Sequence, residues 1–327
     1  MNKLIKYAVC ASMITSSVAM AADKVTFQLD WLPGADSVPV YVGLQEGFFE
    51  EENLAVSISS GRGSTDAITK LATGNSDIGN ADIGALMAAK AQDNVPVVAV
   101  LPYFTQAPHT FFTLKSSGIS SIKDLKGKKV VTSPFSSSNG FLPVVLKEHN
   151  LKEDDIKLIK TDPGTLGPMM VTGKADAVIG WATNSEQFKE QAKSAGKEVL
   201  SMPWSNEGLS LYSFSLLASE QFLKERPEVA KRFVKAFKKS IEFAYANPEK
   251  AGEAIHAIVP EVDAESISAQ VKSVTNLVYN DITKEDGFGV FTLQRINQTW
   301  KYVALANALN TDTLDPLKAV SFEYVPE

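Results

Sequence analysis

A short motif occurs twice in this chain, and the two copies lie about one lobe apart. The first copy reads Thr73-Gly74-Asn75-Ser76-Asp77 and the second reads Thr172-Gly173-Lys174-Ala175-Asp176, which places the two glycines 99 residues apart. In each copy a glycine ends a predicted helix, a polar turn follows, and a buried apolar strand begins. The repeat predicts two α/β lobes of similar topology, although two short helix-to-strand turns can also resemble each other by chance.

The size and composition of the chain agree with two folded lobes. A chain of 327 residues is long for a single core. Hydrophobic residues make up 44% of the chain and charged residues 21%, which is typical of globular proteins and argues against extended disorder. The net charge is −6 and no dense basic run is present, so we expect no nucleic-acid partner.

The amino terminus has the pattern of a cleavable export signal. Lys3 and Lys6 precede a mostly apolar run over 7–18, and Ala19-Met20-Ala21 fits the small-x-small rule for cleavage. We therefore predict that residues 1–21 are a signal peptide and that the mature protein is periplasmic. An uncleaved membrane anchor is the alternative, but the apolar run is short for a membrane span.

The sequence lacks the usual motifs of catalytic and metal sites. The single cysteine, Cys10, lies in the predicted signal peptide, so we expect neither a disulfide nor a thiol nucleophile in the mature chain. The three histidines, His109, His149 and His256, are too far apart to match a zinc motif. No Gly-rich phosphate loop and no Gly-x-Ser-x-Gly elbow occurs. We therefore expect a binding protein without a cofactor or a metal, and not an enzyme.

The first candidate binding loop joins an alternating strand to a helix. Val25, Phe27 and Leu29 alternate with polar residues, and a Pro-Gly break leads to a helix with Pro39 in its first turn. Loops that follow the carboxyl ends of strands hold ligands in α/β proteins. The alternative for the loop's tryptophan is packing in the core or at a hinge. The candidate ligand-binding residues of this segment are Asp30, Trp31, Asp36, Ser37 and Tyr41.

Two further loops of the predicted first lobe carry small polar residues. A strand over 54–59 enters Ser60-Gly61-Arg62-Gly63-Ser64-Thr65, whose glycines let backbone amides approach a ligand at a helix amino end. A helix-capping role for the hydroxyls and a surface position for the arginine are the alternatives. A short strand over 75–82 ends in another carboxylate. The candidates from these loops are Arg62, Ser64, Thr65 and Asp82.

The predicted second lobe contains the same arrangement. A strand ending at Val131 enters a Ser/Gly-rich stretch over 133–140, and a helix follows from Phe141. This loop of small donors occupies the position that the Asp-Trp loop occupies in the first lobe. Tryptophans are candidate platforms for stacking on a flat ligand. The second-lobe candidates are Ser136, Ser137, Asn139, Trp181 and Trp204.

These motifs resemble those of the periplasmic solute-binding proteins of ABC importers. More narrowly, they resemble the family shared by thiamine-pyrimidine-precursor synthases and the binding proteins for pyrimidines, sulfonates and nitrate. The matching segments are Leu29-Asp30-Trp31 with Pro33, Tyr41-Val42-Gly43, Glu46-Gly47-Phe48-Phe49, Leu54-Ala55-Val56, Leu71-Ala72 with Gly74 and Asp77-Ile78-Gly79, Asp124-Leu125-Lys126-Gly127-Lys128, and Gly173-Lys174-Ala175-Asp176-Ala177.

The resemblance implies a type II periplasmic binding protein fold, in which two α/β lobes close on a ligand in the cleft between them. Residues 22–112 and 217–327 would form lobe 1, and residues 113–216 would form lobe 2. It also implies a monomeric receptor that delivers a small molecule to an ABC permease in the inner membrane.

The resemblance also suggests a class of ligand. The Asp-Trp pair is most similar to the pyrimidine branch, in which the ring stacks on a heterocycle. We therefore expect a pyrimidine or a thiamine-precursor-like ligand, with Trp31 stacking and with Asp30 and Asp82 accepting ring N–H groups. A sulfonate or another small anion, held by Arg62 and helix amino ends, is one alternative. A pyrimidine-precursor synthase is another, although the cysteine-rich segment of the synthases is replaced here by Ser136-Ser137-Ser138-Asn139-Gly140. A sensor protein for a membrane kinase is the third.

Overall fold

Two five-stranded sheets organise the computed structural model, which describes residues 21–207, 209 and 211–325. Cys10 and residues 1–20 of the predicted signal peptide lie outside the described residues. The described strands are β1 (Asp23–Gln28), β2 (Leu54–Ser59), β3 (Ile78–Asp82), β4 (Val97–Pro102), β5 (His109–Leu114), β6 (Lys129–Thr132), β7 (Lys157–Lys160), β8 (Ala177–Trp181), β9 (Val199–Pro203) and β10 (Phe214–Ser219).

Helices cover both faces of these sheets. They are α1 (Val38–Gln45), α2 (Phe48–Glu51), α3 (Ser64–Ala72), α4 (Ile83–Asp93), α5 (Ser138–Glu148), α6 (Leu166–Val171), α7 (Ser185–Ser194), α8 (Glu220–Glu225), α9 (Pro227–Ala246), α10 (Pro248–Ile258), α11 (Ala264–Val278), α12 (Asp281–Asp286) and α13 (Leu293–Ala306), with short 3₁₀ turns between some of them. No helix in the described part of the chain has the length and apolar character needed to span a membrane.

The two sheets have the same topology. The first has the order β2-β1-β3-β10-β4 and the second has the order β7-β6-β8-β5-β9. In each, the first three strands run parallel, and the strand that enters from the other half of the chain pairs antiparallel. The prediction of two α/β lobes of similar topology is therefore confirmed.

The repeated motif has the same structural role in both sheets. Gly74 and Gly173 each adopt a left-handed backbone with φ of 73°, which a helix terminus accommodates best with glycine. The Asp77 carboxylate accepts a hydrogen bond from the Thr26 amide at 2.8 Å, and the Asp176 carboxylate accepts one from the Lys129 amide at 2.8 Å. Each aspartate thus ties the helix-to-strand turn to the first parallel strand of its own sheet.

The chain passes between the sheets twice, after Pro102 and after Pro203. The first passage ends at His109, where β5 begins, so the lobe boundary expected at residue 112 falls inside a strand of the second sheet. The first two residues of this strand, His109 and Thr110, are polar but buried, at 0% and 1% exposure, and pair with β8.

The carboxyl-terminal helices complete the core. The apolar face of α9 is buried, and its Phe233 stacks on Phe27 and Phe49 at ring distances of 5.8 and 5.0 Å. Helix α13 packs against both α4 and α5, so it contacts the helices of both sheets. Past α13, Val320 forms an isolated parallel bridge with Ala99 of β4.

Candidate functional site

A narrow cleft lies where the carboxyl ends of β1, β6 and β8 meet. In this arrangement of the lobes its free volume is about 10 Å³, which is room for about one water molecule, so a larger ligand requires the lobes to move apart. This is the position at which open α/β sheets bind ligands. The first sheet contributes the loop after β1, and the second contributes the loop after β6 and the turn after β8. The lining residues are Asp30, Trp31, Asp36, Ser136, Ser137, Gly180, Trp181, Thr183 and Asn184.

Each lobe supplies one tryptophan to this cleft. Trp31 is partly buried and packs against an apolar cluster of the second sheet that includes Phe112 and Phe188. Trp181 is 7% exposed, and it makes edge contacts with Phe214 at 5.2 Å and with His109 at 5.8 Å between ring centroids. Each ring packs on side chains of the other lobe, so the two aromatic walls of the cleft are held where the lobes meet. Aromatic walls of this kind bind planar ligands.

Two buried carboxyl groups lie in the same cleft. Burial raises the pKa of Asp30 well above its ordinary value; the hydrogen bond from Ser64 opposes this shift, and the neighbouring charges of Asp36 and Asp82 add to it. Burial likewise raises the pKa of Asp36 to about 7, against the opposing effect of backbone amides. The two groups are therefore poised to change protonation state when a hydrogen-bonding ligand arrives.

A hydrogen-bond network behind the cleft holds Asp30 in place. Ser64 donates to the Asp30 carboxylate at 2.5 Å and accepts from the Asp82 amide at 3.1 Å. Asp82 is the N-cap of α4, accepts from Gly84 and Ala85, and also accepts from the Ser213 hydroxyl. Burial raises the pKa of Asp82 to about 6. Ser64 and Asp82 thus belong to the support behind the site, and they do not line it.

Two hydroxyl groups in the cleft have no hydrogen-bond partner among the described residues. They belong to Ser137, which is 5% exposed, and to Thr183, which is 2% exposed. A buried hydroxyl without a partner costs free energy, of the order of 1–3 kcal/mol for each group. Both groups are available to bond a ligand in the cleft. Thr183 was not predicted from the sequence, because nothing in its local pattern distinguishes it from a surface threonine.

The sequence analysis also missed the role of His109. Its ring is fully buried and contacts the rings of Trp181, Trp204 and Phe141. Its Nδ1 lies 2.9 Å from the Ser138 hydroxyl, and its Nε2 lies 3.6 Å from the Asp82 carboxylate. Burial lowers its pKa to about 3, so the imidazole is neutral at physiological pH. His109 therefore positions Trp181 from behind. In the sequence it is only an isolated histidine without the spacing of a metal ligand.

Two loops that the sequence assigned to ligand binding instead bond to each other. Thr65 donates to the Phe135 carbonyl from its amide at 3.2 Å and from its hydroxyl at 3.1 Å. Ser133 donates to the Arg62 carbonyl at 2.7 Å, and the Arg62 guanidinium lies 4.5 Å from the centre of the Phe135 ring. Arg62 also pairs with Asp66, and its side chain is 55% exposed and does not line the cleft. We call this contact, made by 61–65 and 133–137, the interlobe latch.

Four other predicted residues do not line the cleft. Tyr41 is 2% exposed in the core of the first lobe, and Trp204 is fully buried against His109 and Phe111. Ser37 bonds to Gly34 within its own turn. The Asn139 amide group bonds to Thr132 and to the Ser133 carbonyl, which shapes the loop after β6. Each of these side chains is committed to packing or to local backbone geometry, which sequence alone did not reveal.

The ionisable side chains that line the cleft are all acidic. Among the described residues that line it, two are carboxylic acids and none is a lysine, an arginine or a histidine. No group of three or more His, Cys, Asp or Glu side chains in the described part of the chain is arranged to hold a metal ion. The cleft therefore offers hydrogen-bond acceptors, hydroxyls and aromatic faces, and it offers no side-chain cation.

Comparison with known proteins places this geometry in a family. The family model described as NMT1/THI5 like matches residues 35–251. A 4-amino-5-hydroxymethyl-2-methylpyrimidine phosphate synthase, THI13 of Saccharomyces cerevisiae, is 24% identical over 295 residues, which cover 87% of this chain and 82% of the yeast protein. The formylaminopyrimidine-binding protein of Halalkalibacterium halodurans is 27% identical over 272 residues, which cover 80% of this chain and 81% of that protein.

The solved structures agree on the fold. The alkanesulfonate-binding protein SsuA from Xanthomonas axonopodis pv. citri, bound to MOPS, superposes with a TM-score of 0.72 at 15% identity, covering 93% of this chain and 99% of that chain. The fold is thus that of the periplasmic binding proteins, with two α/β lobes and the cleft between them, as the sequence predicted.

Proposed function

Since the chain belongs to the NMT1/THI5-like family, we propose that it is a periplasmic receptor that binds a small nitrogen heterocycle and delivers it to an ABC permease. The heterocycle lies between Trp31 and Trp181, and its N–H groups donate to Asp30 and Asp36. The hydroxyls of Ser137 and Thr183 bond to its remaining polar edge. No covalent step occurs in this function.

One observation carries the proposal: the cleft combines a tryptophan from each lobe with two buried carboxyl groups and lacks a side-chain cation among the described residues that line it. A planar ring with several N–H donors satisfies all of these groups together. Stacking supplies apolar contact, and the carboxyl groups select rings that donate. The pyrimidine named in the formylaminopyrimidine-binding relative has this chemistry.

The same observation weighs against an anionic ligand. A sulfonate needs positive or N–H-rich partners, and charge-assisted bonds from arginine are the strongest of these. Here the predicted anion ligand Arg62 is exposed and bonded to Asp66. A sulfonate in the cleft would instead face Asp30 and Asp36. The likeness to SsuA therefore supports the fold of this protein, and the side chains support a different ligand.

We also propose that ligand binding stabilises the closed arrangement of the lobes. The division between them follows the sheets, with the two passages after Pro102 and Pro203 as the hinges. Ligand and latch would both join the first lobe to the second, since Trp31 comes from the first lobe and Trp181 from the second. A ligand that contacts both walls favours closure because it binds the closed form better than the open one.

Isothermal titration of the purified mature protein tests the proposed ligand class. We expect binding of an aminopyrimidine such as 4-amino-5-hydroxymethyl-2-methylpyrimidine, and no measurable heat with taurine or an alkanesulfonate. Tight binding of the sulfonates with none of the pyrimidines would refute the proposal. The family resemblance to synthases adds a second assay, in which formation of a pyrimidine product by the protein with iron and candidate substrates would show an enzyme and not a receptor.

A further inference from the structure

A second, larger space opens directly beside the cleft. Its free volume is about 260 Å³, and it shares Trp31, Asp36, Thr183 and Asn184 with the cleft. Its other walls are the loop after Trp31, the turn over 163–167, helix α7 and the start of α11. We call this space the side chamber. A substituent on a ring held in the cleft would extend into it.

The side chamber is lined by acids and amides. Its carboxylates are Asp36, Glu190, Glu261 and Asp263, and no lysine or arginine is found among the described residues that line it. The amino ends of α7, at Asn184, and of α11, at Asp263, both adjoin it, and each contributes about half a positive charge. Glu190, Glu261 and Asp263 are exposed, so solvent screens their charges, but the four carboxylates still outnumber the two partial positive charges and the chamber disfavours anions.

The remaining polar groups suit a neutral substituent. The Thr183 hydroxyl, buried and without a partner among the described residues, lies at the junction of the cleft and the chamber. Farther along, Ser266 donates to Glu190 at 2.9 Å and accepts from Gln270 at 3.2 Å, which joins α7 to α11 across the chamber. Amides, carboxylates and hydroxyls together can accept from and donate to hydroxyl or amino groups on a ligand.

We infer that the side chamber receives an uncharged hydroxylated or aminated substituent of the heterocycle and rejects phosphate esters. This inference rests on the proposed function and adds a specificity to it: the protein takes free heterocycles and discriminates against their phosphorylated forms. A phosphate group carries about −1.5 to −2 charges at pH 7, and in the chamber it would meet carboxylates without a compensating cation. Thr183, Glu190 and Gln270 are the residues that set this specificity.

Pairs of ligands that differ only in a phosphate test the inference. One pair is 4-amino-5-hydroxymethyl-2-methylpyrimidine and its phosphate, and a larger pair is riboflavin and riboflavin 5′-phosphate. In titrations at low salt, we expect the member without phosphate to bind about threefold to tenfold tighter, since several exposed carboxylates each repel a phosphate weakly. The ratio should fall as salt is raised, because salt screens the repulsion.

A matched pair of variants assigns the effect to the chamber. Glu190→Gln removes one carboxylate from the chamber and should reduce the ratio, and Glu186→Gln on the same helix, where Glu186 pairs with Lys189 outside the chamber, should leave it unchanged. Equal or tighter binding of the phosphorylated members by the wild-type protein would overturn this inference and leave the proposed function standing. Failure of both members of both pairs to bind would overturn the proposed function and this inference with it.

Discussion

At the scale of single residues, three tryptophans have two different roles. Trp31 and Trp181 line the cleft, and Trp204 is fully buried behind it. Trp31 was a candidate because of its loop after a strand, and Trp181 and Trp204 were candidates only because tryptophans can stack on a flat ligand. That criterion does not separate Trp181 from Trp204. The burial of Trp204 depends on contacts with His109 and Phe111, almost a hundred residues earlier, which local pattern does not contain.

Replacement of these tryptophans should separate binding from folding. We predict that Trp31→Ala weakens binding of the aminopyrimidine by about tenfold to a hundredfold, because stacking and apolar contact are lost. Trp204→Phe should lower the free energy of unfolding by about 1–3 kcal/mol and leave the affinity of the folded protein unchanged. Titration calorimetry and denaturant unfolding measure the two effects. If Trp31→Ala binds the aminopyrimidine as tightly as the wild-type protein does, the Trp31 ring does not contact the ligand.

The carboxyl groups of the cleft make binding depend on pH. Burial holds the pKa of Asp36 at about 7, so below that pH the group is protonated and accepts poorly from a ligand N–H. We predict that affinity rises between pH 5.5 and 8 (roughly one unit on either side of the pKa) and that binding near pH 7 releases protons. Asp36→Asn stays neutral throughout, so it should bind weakly and lose this component of the pH dependence. Titrations in buffers of different ionisation enthalpy measure the proton release. Identical pH profiles for both proteins would contradict the assignment.

The raised pKa of Asp36 has the opposite effect on the stability of the unliganded protein, because its contribution to stability falls as the pH rises. Between the ordinary pKa of 3.8 and about 7, the folded state binds more protons at Asp36 than the unfolded state does. Its contribution therefore favours folding at low pH and is lost as the pH rises through about 7. His109 acts in the other direction, since its lowered pKa costs stability as the pH falls below 6.5 towards about 3. The pH dependence of ligand binding therefore reports on Asp36 more clearly than the pH dependence of unfolding does.

At the scale of elements, the repeat predicted the plan of both lobes, and the interlobe latch could not be predicted. The glycine of each repeat acts within its own turn, and the aspartate accepts a hydrogen bond from a residue about fifty positions earlier, on the neighbouring strand. The latch joins Thr65 to Phe135, which are 70 residues apart and belong to different lobes. Both loops were identified as rich in small donors. Which partner they donate to depends on how the lobes approach each other.

A glycine in the latch provides a test of closure. Gly63 has φ of 142°, and a Cβ atom there would overlap the Phe135 carbonyl group. We predict that Gly63→Ala forces the loops apart, weakens ligand binding by about tenfold and increases the radius of gyration of the liganded protein. The size of the effect follows from a strain of about 1–3 kcal/mol. Small-angle scattering and titration measure the two quantities.

Gly118 supplies the control for backbone strain. It also has a positive φ, of 76°, but no atom lies within 4 Å of the position that a Cβ would take there, so Gly118→Ala should cost stability without changing affinity. If Gly63→Ala binds the ligand as tightly as Gly118→Ala does, the latch does not contribute to the closed form.

At the scale of the whole molecule, the two lobes share their core. One apolar cluster contains Ala81 and Leu217 of the first sheet together with Phe111, Val130 and Ile179 of the second. Helix α13 packs on helices of both lobes, and Phe141 of α5 lies against Gly84 of α4. The sequence predicted two lobes correctly from their repeated motif. The resemblance implied that residues 217–327 belong to lobe 1; of these, α9 and α10 pack against α1 of lobe 1, and α11 packs against α7 of lobe 2.

A shared core should unfold as one unit. We predict a single transition in differential scanning calorimetry of the unliganded protein, with the calorimetric and van't Hoff enthalpies in agreement. Ligand at a hundredfold excess over its Kd should stabilise the protein by about 2.7 kcal/mol and shift this single transition upward. Two separated transitions, of which ligand shifts only one, would show that the lobes fold independently.

The most direct test of a heterocycle held between Trp31 and Trp181 is native mass spectrometry after competition. The mature protein is incubated with an equimolar mixture of aminopyrimidines, nucleobases, flavins, taurine and alkanesulfonates, and the retained ligand is identified by its mass. We predict that the wild-type protein retains a single nitrogen heterocycle and that Trp31→Ala and Trp181→Ala each fail to retain it. Retention of a sulfonate, or retention of the same heterocycle by both variants, would contradict a heterocycle held between these two rings.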